Sequence, residues 1–275
     1  MSPRMQTGKS ETMSTCILVL IDGLRPDALS GTLSPHICNF YESAAKTMNA
    51  SSVVPSFTLP CHMSIFHSLY PEKHGVKNNT WAPMTDPVPG LFELAHEADL
   101  KCSFIYNWEK LRSISRPGNL YFSYFRDNLF EPKGDEELVE EAVRHIRKDS
   151  PDFLFLYLGT VDIAGEEHGW MTEAYFQQIA RVDQAVGNLL ASIPQECSLL
   201  MQSDHGGHDN THGTDRPEDM TIPWGVKGPG IREGYQVVRE VSLLDTAPTI
   251  ARILGIEPHP QWEGECVKEI FQISA

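Results

Sequence analysis

Three aspartates in this chain of 275 residues each follow closely on a short apolar run. They are Asp22, Asp162 and Asp204, and three histidines follow the last of them: His205, His208 and His212. A helix cap or a turn explains a single aspartate in such a place. Carboxylates that converge cannot all stay ionised without a cation, and a mixed Asp/His set suits Zn²⁺ or Mn²⁺ better than Ca²⁺. These residue types and their spacing therefore predict a metal site.

The hydroxyl group of Thr58 is a second candidate for chemistry. It precedes Leu59-Pro60, and proline is favoured in the first turn of a helix. Apolar residues then recur at helical spacing, which predicts that Thr58 lies at or beside a helix N-terminus, where free N–H groups favour anions. Two interpretations follow. Thr58 is either a simple N-cap or a hydroxyl whose pKa is lowered by a metal, so that it attacks a phosphorus atom.

The apolar pattern indicates the elements that must position these residues. Near-continuous apolar runs predict four strands, at residues 16–21, 101–106, 153–158 and 198–202. Such runs are typical of a parallel sheet that is covered on both faces. Helical spacing predicts three further helices, at residues 135–148, 172–192 and 243–254, and Asp135 suits the N-cap of the first.

This alternation of strands and helices predicts a doubly wound α/β fold. Residues 16–275 are expected to form one domain, preceded by a disordered or ragged tail at residues 1–15. Function in such folds is found at the carboxyl ends of the strands. The three aspartates are therefore expected to meet at one edge of the sheet.

Composition restricts the partners. The chain has 22 Lys and Arg against 37 Asp and Glu, a formal net charge of −15, which repels polyanions and argues against duplex nucleic acid. The first apolar run, residues 16–21, is too short for a secretory signal core or a membrane span. Six cysteines without C-x-x-C spacing do not indicate a disulfide framework. We therefore expect a cytoplasmic protein with reduced thiols and no membrane partner.

Several motifs stand in a characteristic order: Ile21-Asp22-Gly23, Pro55-Ser-Phe-Thr58-Leu-Pro60, Tyr70-Pro-Glu-Lys-His74-Gly75, Asp162 and Ser203-Asp-His-Gly206. Together they resemble the alkaline phosphatase superfamily and, within it, the type I phosphodiesterase/nucleotide pyrophosphatase branch. The resemblance implies an α/β sandwich with a mostly parallel central sheet and helices on both faces. It also implies two divalent metal ions, with Zn²⁺ the expected ion.

The resemblance implies a role for each matching residue. Four of them match one metal site: Asp22, Thr58, Asp204 and His205. Thr58 is at the same time the nucleophile, and Asn79 matches an asparagine that helps to hold the phosphoryl oxygen. Asp162 and His212 match ligands of the second metal site.

One position departs from the family pattern, which has histidine four residues after the aspartate of the third motif. Here Glu166 stands four residues after Asp162, and the nearest histidine is His168. Three alternatives follow. Glu166 ligates the second metal and makes the site harder, so that Mn²⁺ or Fe²⁺ is accepted, or His168 replaces it after a loop shift, or the second metal is weak or absent.

Among the histidines outside the implied ligand set, His62, His74 and His208 stand within or beside the motifs. His62 and His74 are expected to pack or form hydrogen bonds around the helix of Thr58. His208 has two interpretations, an exposed loop residue or a contact to the substrate or to the surroundings of a metal ligand.

The expected function is hydrolysis of a phosphoric ester, with a small nucleotide-like substrate and a covalent phospho-threonine intermediate. Phe57 occupies the position beside Thr58 where an arginine would favour monoesters. The expected activity is therefore that of a phosphodiesterase/nucleotide pyrophosphatase. The alternatives are a phosphomonoesterase of the same superfamily and a non-catalytic phospho-ligand or metal-binding protein. A sulfatase is disfavoured because Thr58-Leu-Pro60-Cys-His62 lacks the required Cys or Ser and the arginine, and a phosphomutase because little room is left for an inserted domain.

Overall fold

The computed structural model describes residues 15–116 and 118–272, and within them seven strands form one sheet. The strands are β1 (Cys16–Ile21), β2 (Ala45–Ser51), β3 (Cys102–Tyr106), β4 (Phe122–Phe125), β5 (Phe153–Leu158), β6 (Ser198–Gln202) and β7 (Thr221–Lys227). Their order is β2-β7-β6-β1-β5-β3-β4, and β7 alone of the described strands runs antiparallel to both neighbours. The expected tail at residues 1–15 lies outside the described residues, except for Thr15.

The strand predictions are confirmed where the chain is buried on both sides. The predicted bounds of β1, β5 and β6 agree with the structure, and β3 begins one residue later than predicted. All residues of these strands are buried, which explains their continuous apolar pattern. The sequence analysis missed β2, β4 and β7. The first two are half-exposed edge strands, and β7 contains Pro223 and Gly225, which argue against a strand.

The described helices lie on both faces of the sheet. They are α1 (Pro35–Ser43), α2 (Thr58–His67), α3 (Pro71–His74), α4 (Leu91–Glu97), α5 (Gly134–Asp149), α6 (Thr160–His168), α7 (Glu173–Ser192), α8 (Pro217–Met220) and α9 (Thr246–Ile253). Short 3₁₀ turns occur at Pro26–Ala28, Glu109–Ser113, Leu243–Asp245 and Lys268–Ile270. In the described part of the chain, no helix is both long enough and apolar enough to cross a bilayer.

Two of the helix predictions need correction. Asp135 is not the N-cap of α5, because the helix begins at Gly134 and Asp135 lies in its first turn. Its carboxylate accepts hydrogen bonds from the start of α6 instead. The segment predicted as one helix at 243–254 is a 3₁₀ turn followed by α9. The helix predicted at 172–192 is confirmed as α7, with Thr172 as its N-cap.

Alternate side chains of the central strands pack into two different hydrophobic cores, one on each face of the sheet. In β1, Leu18 and Leu20 point into a core shared with α2, α4 and α9, while Ile17 and Val19 point into a core shared with α1, α5 and α7. This alternation is the pleat of a strand buried on both faces. The central strands β6, β1 and β5 are adjacent and parallel, so their carboxyl ends meet at one edge of the sheet.

Candidate metal centre

The three aspartates predicted to converge lie together at this edge of the sheet. Asp22 directly follows β1, Asp204 follows β6, and Asp162 lies in the first turn of α6, just after β5. All three are at least nine-tenths buried. The turn after β1 depends on Gly23, whose φ is +68° and where an added Cβ would lie 2.9 Å from the Cα of Asp162. A side chain at this position would push β1 and α6 apart.

A first group of metal-ligand atoms consists of Asp22, Asp204 and His205, whose atoms lie within 4.8 Å of one another. The Nε2 atom of His205 is 3.2 Å from Asp22 Oδ1 and 3.4 Å from Asp204 Oδ2. The hydroxyl oxygen of Thr58 lies 3.3 Å from the same nitrogen. Four residues that the sequence analysis assigned to one site therefore meet around a single point.

A second group consists of Asp162, His205 and His212, so His205 is common to both groups. The Nε2 atom of His212 lies 3.8 Å from Asp162 Oδ1 and 3.5 Å from Glu166 Oε1. Sequence analysis had placed His205 in the first site alone. His205 and His212 both lie in the segment between β6 and α8.

Among the described residues, each of the three aspartates leaves one buried oxygen without a hydrogen-bond partner. These atoms are Asp22 Oδ1, Asp162 Oδ1 and Asp204 Oδ2. A buried carboxylate oxygen without a donor costs free energy unless a cation compensates it. Carboxylate and imidazole donors together suit Zn²⁺ and Mn²⁺. The donor set therefore fits divalent metal ions.

The electrostatics of the carboxylates agree with this fit. Burial raises the pKa of Asp162 to about 7 and that of Asp204 to about 6. Burial and then the charges of Asp204 and Asp162 raise the pKa of Asp22 well above its ordinary value. Carboxylates that are this reluctant to ionise together are the arrangement that a bound cation would stabilise.

The two histidines are oriented by backbone carbonyl groups. His205 donates from Nδ1 to Gly206 O over 2.8 Å, and His212 donates from Nδ1 to Ser56 O over 2.9 Å. Because a carbonyl oxygen only accepts, Nδ1 carries the proton and Nε2 is turned towards the carboxylates. Burial alone would lower the pKa of His212, but its contact with Glu166 and the charge of Asp162 raise that pKa to about 9.

Supporting hydrogen bonds to two of the aspartates were missed by sequence analysis. The hydroxyl of Tyr157, in β5, donates a hydrogen bond to Asp22 Oδ2. The backbone N–H groups of His205 and Gly23 donate to Asp204 Oδ1, over 3.0 and 3.4 Å. Each contact occupies one oxygen of a carboxylate and leaves the other directed at the cluster. The sequence offered one weak signal for Tyr157. It is the one residue of β5 with a polar group, since the others are Leu and Phe.

Thr58 is the first residue of α2, and the N-cap position belongs to Phe57. The interpretation of Thr58 as a simple N-cap is therefore wrong. Its side chain is buried beside His205. Asn79 lies against the same turn, where its Oδ1 accepts a hydrogen bond of 2.9 Å from the backbone N–H of Leu59.

The neighbourhood of Asp162 distinguishes Glu166 from His168, the two candidate ligands at the position that departs from the family pattern. Glu166 lies one turn along α6, with its side chain 48% exposed and directed at His212. His168 lies at the end of α6, 55% exposed, and its nearest carboxylate is that of Glu167, at 3.8 Å. The structure brings Glu166 to the cluster and leaves His168 at the surface.

The three histidines that the sequence analysis placed outside the ligand set have partners within the fold. His62 bonds through Nδ1 to Thr58 O at 2.7 Å, and His74 bonds through Nε2 to Ser64 Oγ at 3.1 Å, as expected for packing around α2. His208 is not an exposed loop residue, because its side chain is 12% exposed and its Nδ1 lies 2.6 Å from Asp219 Oδ1. This contact ties the loop that precedes His212 to α8.

Comparison with known proteins identifies relatives of the chain. A model of the family described as type I phosphodiesterase / nucleotide pyrophosphatase matches residues 16–129 and 102–222. Ectonucleotide pyrophosphatase/phosphodiesterase family member 1 of Rattus norvegicus is 28% identical over 222 residues, which cover 69% of this chain and 24% of the rat protein. Ectonucleotide pyrophosphatase/phosphodiesterase 1 of Saccharomyces cerevisiae is 24% identical over 261 residues, which cover 74% of this chain and 35% of the yeast protein. The chain therefore spans a minor part of the length of both relatives.

Solved structures share the fold. The murine ectonucleotide pyrophosphatase / phosphodiesterase 5, as an inactive form in complex with AMP, has a TM-score of 0.80 at 14% identity and is similar over 94% of this chain and 100% of that chain. A 2-O GAG sulfatase has a TM-score of 0.74 at 15% identity, over 94% of this chain and 74% of that chain. The predicted alkaline-phosphatase-like α/β fold with a mostly parallel sheet is thus confirmed. Since the family model covers well over half of its residues, the chain belongs to the type I phosphodiesterase/nucleotide pyrophosphatase family.

Proposed function

We propose that this protein is a metal-dependent phosphodiesterase/nucleotide pyrophosphatase that uses Thr58 as its nucleophile. The observation that carries this proposal is the buried hydroxyl of Thr58, 3.3 Å from His205 Nε2 in the first group of metal ligands. A hydroxyl group is a weak nucleophile at its ordinary pKa and needs a base or a metal beside it. The contact of Thr58 with the first group of metal-ligand atoms supports this role.

The two groups of ligand atoms, with Thr58 and Glu166 added through their contacts, indicate which residues would hold two metal ions. Asp22, Asp204, His205 and Thr58 would hold one ion. Asp162 and His212 would hold the other, with Glu166 beside His212. When bound, divalent ions (Zn²⁺, with Mn²⁺ or Fe²⁺ as alternatives beside Glu166) supply Lewis acidity that favours the ionised hydroxyl and balances phosphoryl charge. The unpartnered oxygens of the three aspartates support this assignment.

In the first step, Thr58 Oγ1 attacks phosphorus in line. The new bond between Oγ1 and phosphorus forms while the bond to the leaving oxygen breaks, and the proton of Thr58 ends on the released alcohol or phosphate. In the second step, water attacks the phospho-threonine. The Oγ1–phosphorus bond breaks, Thr58 regains a proton, and the phosphate monoester leaves.

The first turn of α2 favours the phosphoryl group as a ligand. Free N–H groups and the helix dipole at an N-terminus attract anions, and α2 presents this end at Thr58. Asn79 is held against the same turn through Leu59 N and is suited to contact a phosphoryl oxygen.

The surroundings favour a diester over a monoester. Phe57, next to Thr58, packs edge-on against His212 with 5.6 Å between ring centroids, and so supplies no positive charge for a third phosphoryl oxygen. A nucleotide-like substrate is further supported by the AMP that the murine relative binds.

The experiment is a comparison of initial rates on bis-p-nitrophenyl phosphate and p-nitrophenyl phosphate, with metal-stripped protein reconstituted with Zn²⁺ or Mn²⁺. We expect faster cleavage of the diester, with activity only after metal is restored. Faster cleavage of the monoester would instead support a phosphomonoesterase. Tight phosphate binding with no turnover of either ester, or of a dinucleotide, would support the non-catalytic alternative.

A further inference from the structure

A buried carboxylate outside both metal groups holds the start of α6. Asp135 is 1% exposed and accepts four hydrogen bonds. Its Oδ2 accepts from the backbone N–H of Thr160 over 3.1 Å and from the Thr160 hydroxyl over 2.7 Å. Its Oδ1 accepts from the backbone N–H of Gly159 over 3.1 Å and from Asn107 Nδ2 over 2.9 Å.

The geometry of this contact requires both oxygens of a carboxylate. In the described part of the chain, every donor to Asp135 is neutral, so the group lacks the opposite charge that usually accompanies a buried carboxylate. Two of the donors are consecutive backbone N–H groups at the beginning of α6, which have no partner within their own helix. An asparagine amide has a single acceptor oxygen and cannot satisfy both sets of donors.

The helix that Asp135 holds carries two of the residues proposed for the second metal ion. Asp162 lies two residues after Thr160, and Glu166 lies one turn further. A second brace comes from α7, where Gln178 Nε2 donates to Thr160 Oγ1 over 2.6 Å and to Pro132 O over 2.8 Å. The first turn of α6 is therefore fixed to α5 and α7 through one threonine and one aspartate.

We propose that Asp135 is a positioning residue for the second metal ion, because it fixes the turn of α6 that presents Asp162 and Glu166 to His212. This inference rests on the proposed metal centre. It assigns to Asp135 a role at one of the two metal sites and none at the site of Asp22 and Asp204.

The test is calorimetric titration of the metal-free full chain with Mn²⁺, in the wild type and in the D135N and D183N variants. Asp183 is a matched control, because it is also fully buried and accepts a hydrogen bond from a helix backbone, Ile37 N at 2.8 Å in α1. We expect D135N to weaken one of two binding events by about 10–100-fold and leave the other unchanged, as removal of a partner behind a ligand typically does. D183N is expected to leave both binding events unchanged.

A milder pair of variants keeps the test decisive if D135N does not fold. T160V removes one donor to Asp135 and keeps the shape of the side chain, whereas T160S keeps the hydroxyl. T160V should weaken the same ion, and T160S should not. Unchanged affinity in D135N or T160V, equal weakening of both ions, or a wild type that binds a single ion would each overturn the inference. A wild type that binds two ions but hydrolyses no ester would contradict only the proposed function.

Discussion

The imidazole rings of His205 and His212 stack face to face, with 3.9 Å between ring centroids and 9° between ring planes. His205 offers its Nε2 atom to both groups of ligands, and His212 is turned towards Asp162 and Glu166. The two groups are therefore parts of one continuous cluster. The hydrogen bonds that orient the aspartates can nevertheless be removed one at a time. Tyr157 holds Asp22, whereas Asp135 holds the start of α6, which carries Asp162.

We expect Y157F to weaken the ion held by Asp22, Asp204 and His205. Loss of the Tyr157 hydroxyl leaves Asp22 Oδ2 without its donor, so the carboxylate can turn away from the cluster. A fall of about tenfold in affinity for that ion is typical of such a change. Calorimetric titration with Zn²⁺ measures it. Y41F is the matched control, since it removes another buried hydroxyl, which donates to Met201 O. Equal affinities in Y157F and Y41F would refute the prediction.

We expect E166A, and not H168A, to weaken the second ion. Glu166 Oε1 is directed at His212, whereas His168 lies at the surface beside Glu167. Removal of a half-exposed ligand is expected to lower affinity by about tenfold. Mn²⁺ titration of both variants provides the measurement. A loss of affinity in H168A but not in E166A would mean that α6 rearranges when metal binds.

We expect a pH-dependent difference in stability between the wild type and D135N, both metal-free. Burial raises the pKa of Asp135 to about 6, from an ordinary value of 3.8, so the folded protein binds this proton more tightly than the unfolded chain. The bound proton therefore stabilises the folded protein. This stabilisation is complete below the pKa of the unfolded chain, 3.8, and is lost as pH rises through the pKa of the folded protein, about 6. The free energy of unfolding of the wild type, relative to D135N, should fall by about 2–3 kcal/mol between about pH 4 and about pH 7.

Urea denaturation of the two proteins across this pH range measures the difference. Other titrating groups are common to both proteins and cancel in the comparison. A difference that does not change with pH, or that grows as pH rises, would show that Asp135 is already ionised in the acidic folded protein.

The sequence predicted those parts of the fold whose cause is local. The strands β1, β5 and β6 are buried on both faces, so their apolar runs indicated their bounds. The edge strand β2 could not be recognised, because its partner is β7, 170 residues or more away along the chain, and half of its side chains are polar or exposed. Such a strand is defined by its neighbour and not by its own pattern.

In the candidate site too, features with a local cause were predictable from the sequence, and contacts between distant residues were not. The aspartates at the ends of β1, β5 and β6 were predictable, since parallel strands bring such residues to one edge. The role of Asp135 was not, because its hydrogen bonds reach Gly159 and Thr160, 24 and 25 residues away. Nothing in the local pattern around Asp135 distinguishes this contact from an ordinary N-cap.

We expect T58A to lose diesterase activity by about a thousandfold or more at saturating metal, as loss of a nucleophile does in other enzymes. T58S retains a hydroxyl group at the same place and should keep measurable turnover. Initial rates on bis-p-nitrophenyl phosphate compare the three proteins. Wild-type turnover by T58A with metal bound would exclude Thr58 as the nucleophile.

The most direct measurement is the stereochemical course of hydrolysis at phosphorus, with a chiral phosphorothioate diester and isotopically labelled water. Attack by Thr58 followed by attack of water comprises two in-line displacements, each of which inverts the configuration. We therefore predict net retention of configuration in the product. Net inversion would mean that water attacks the diester directly, and it would contradict the phospho-threonine intermediate on which this account of Thr58 depends.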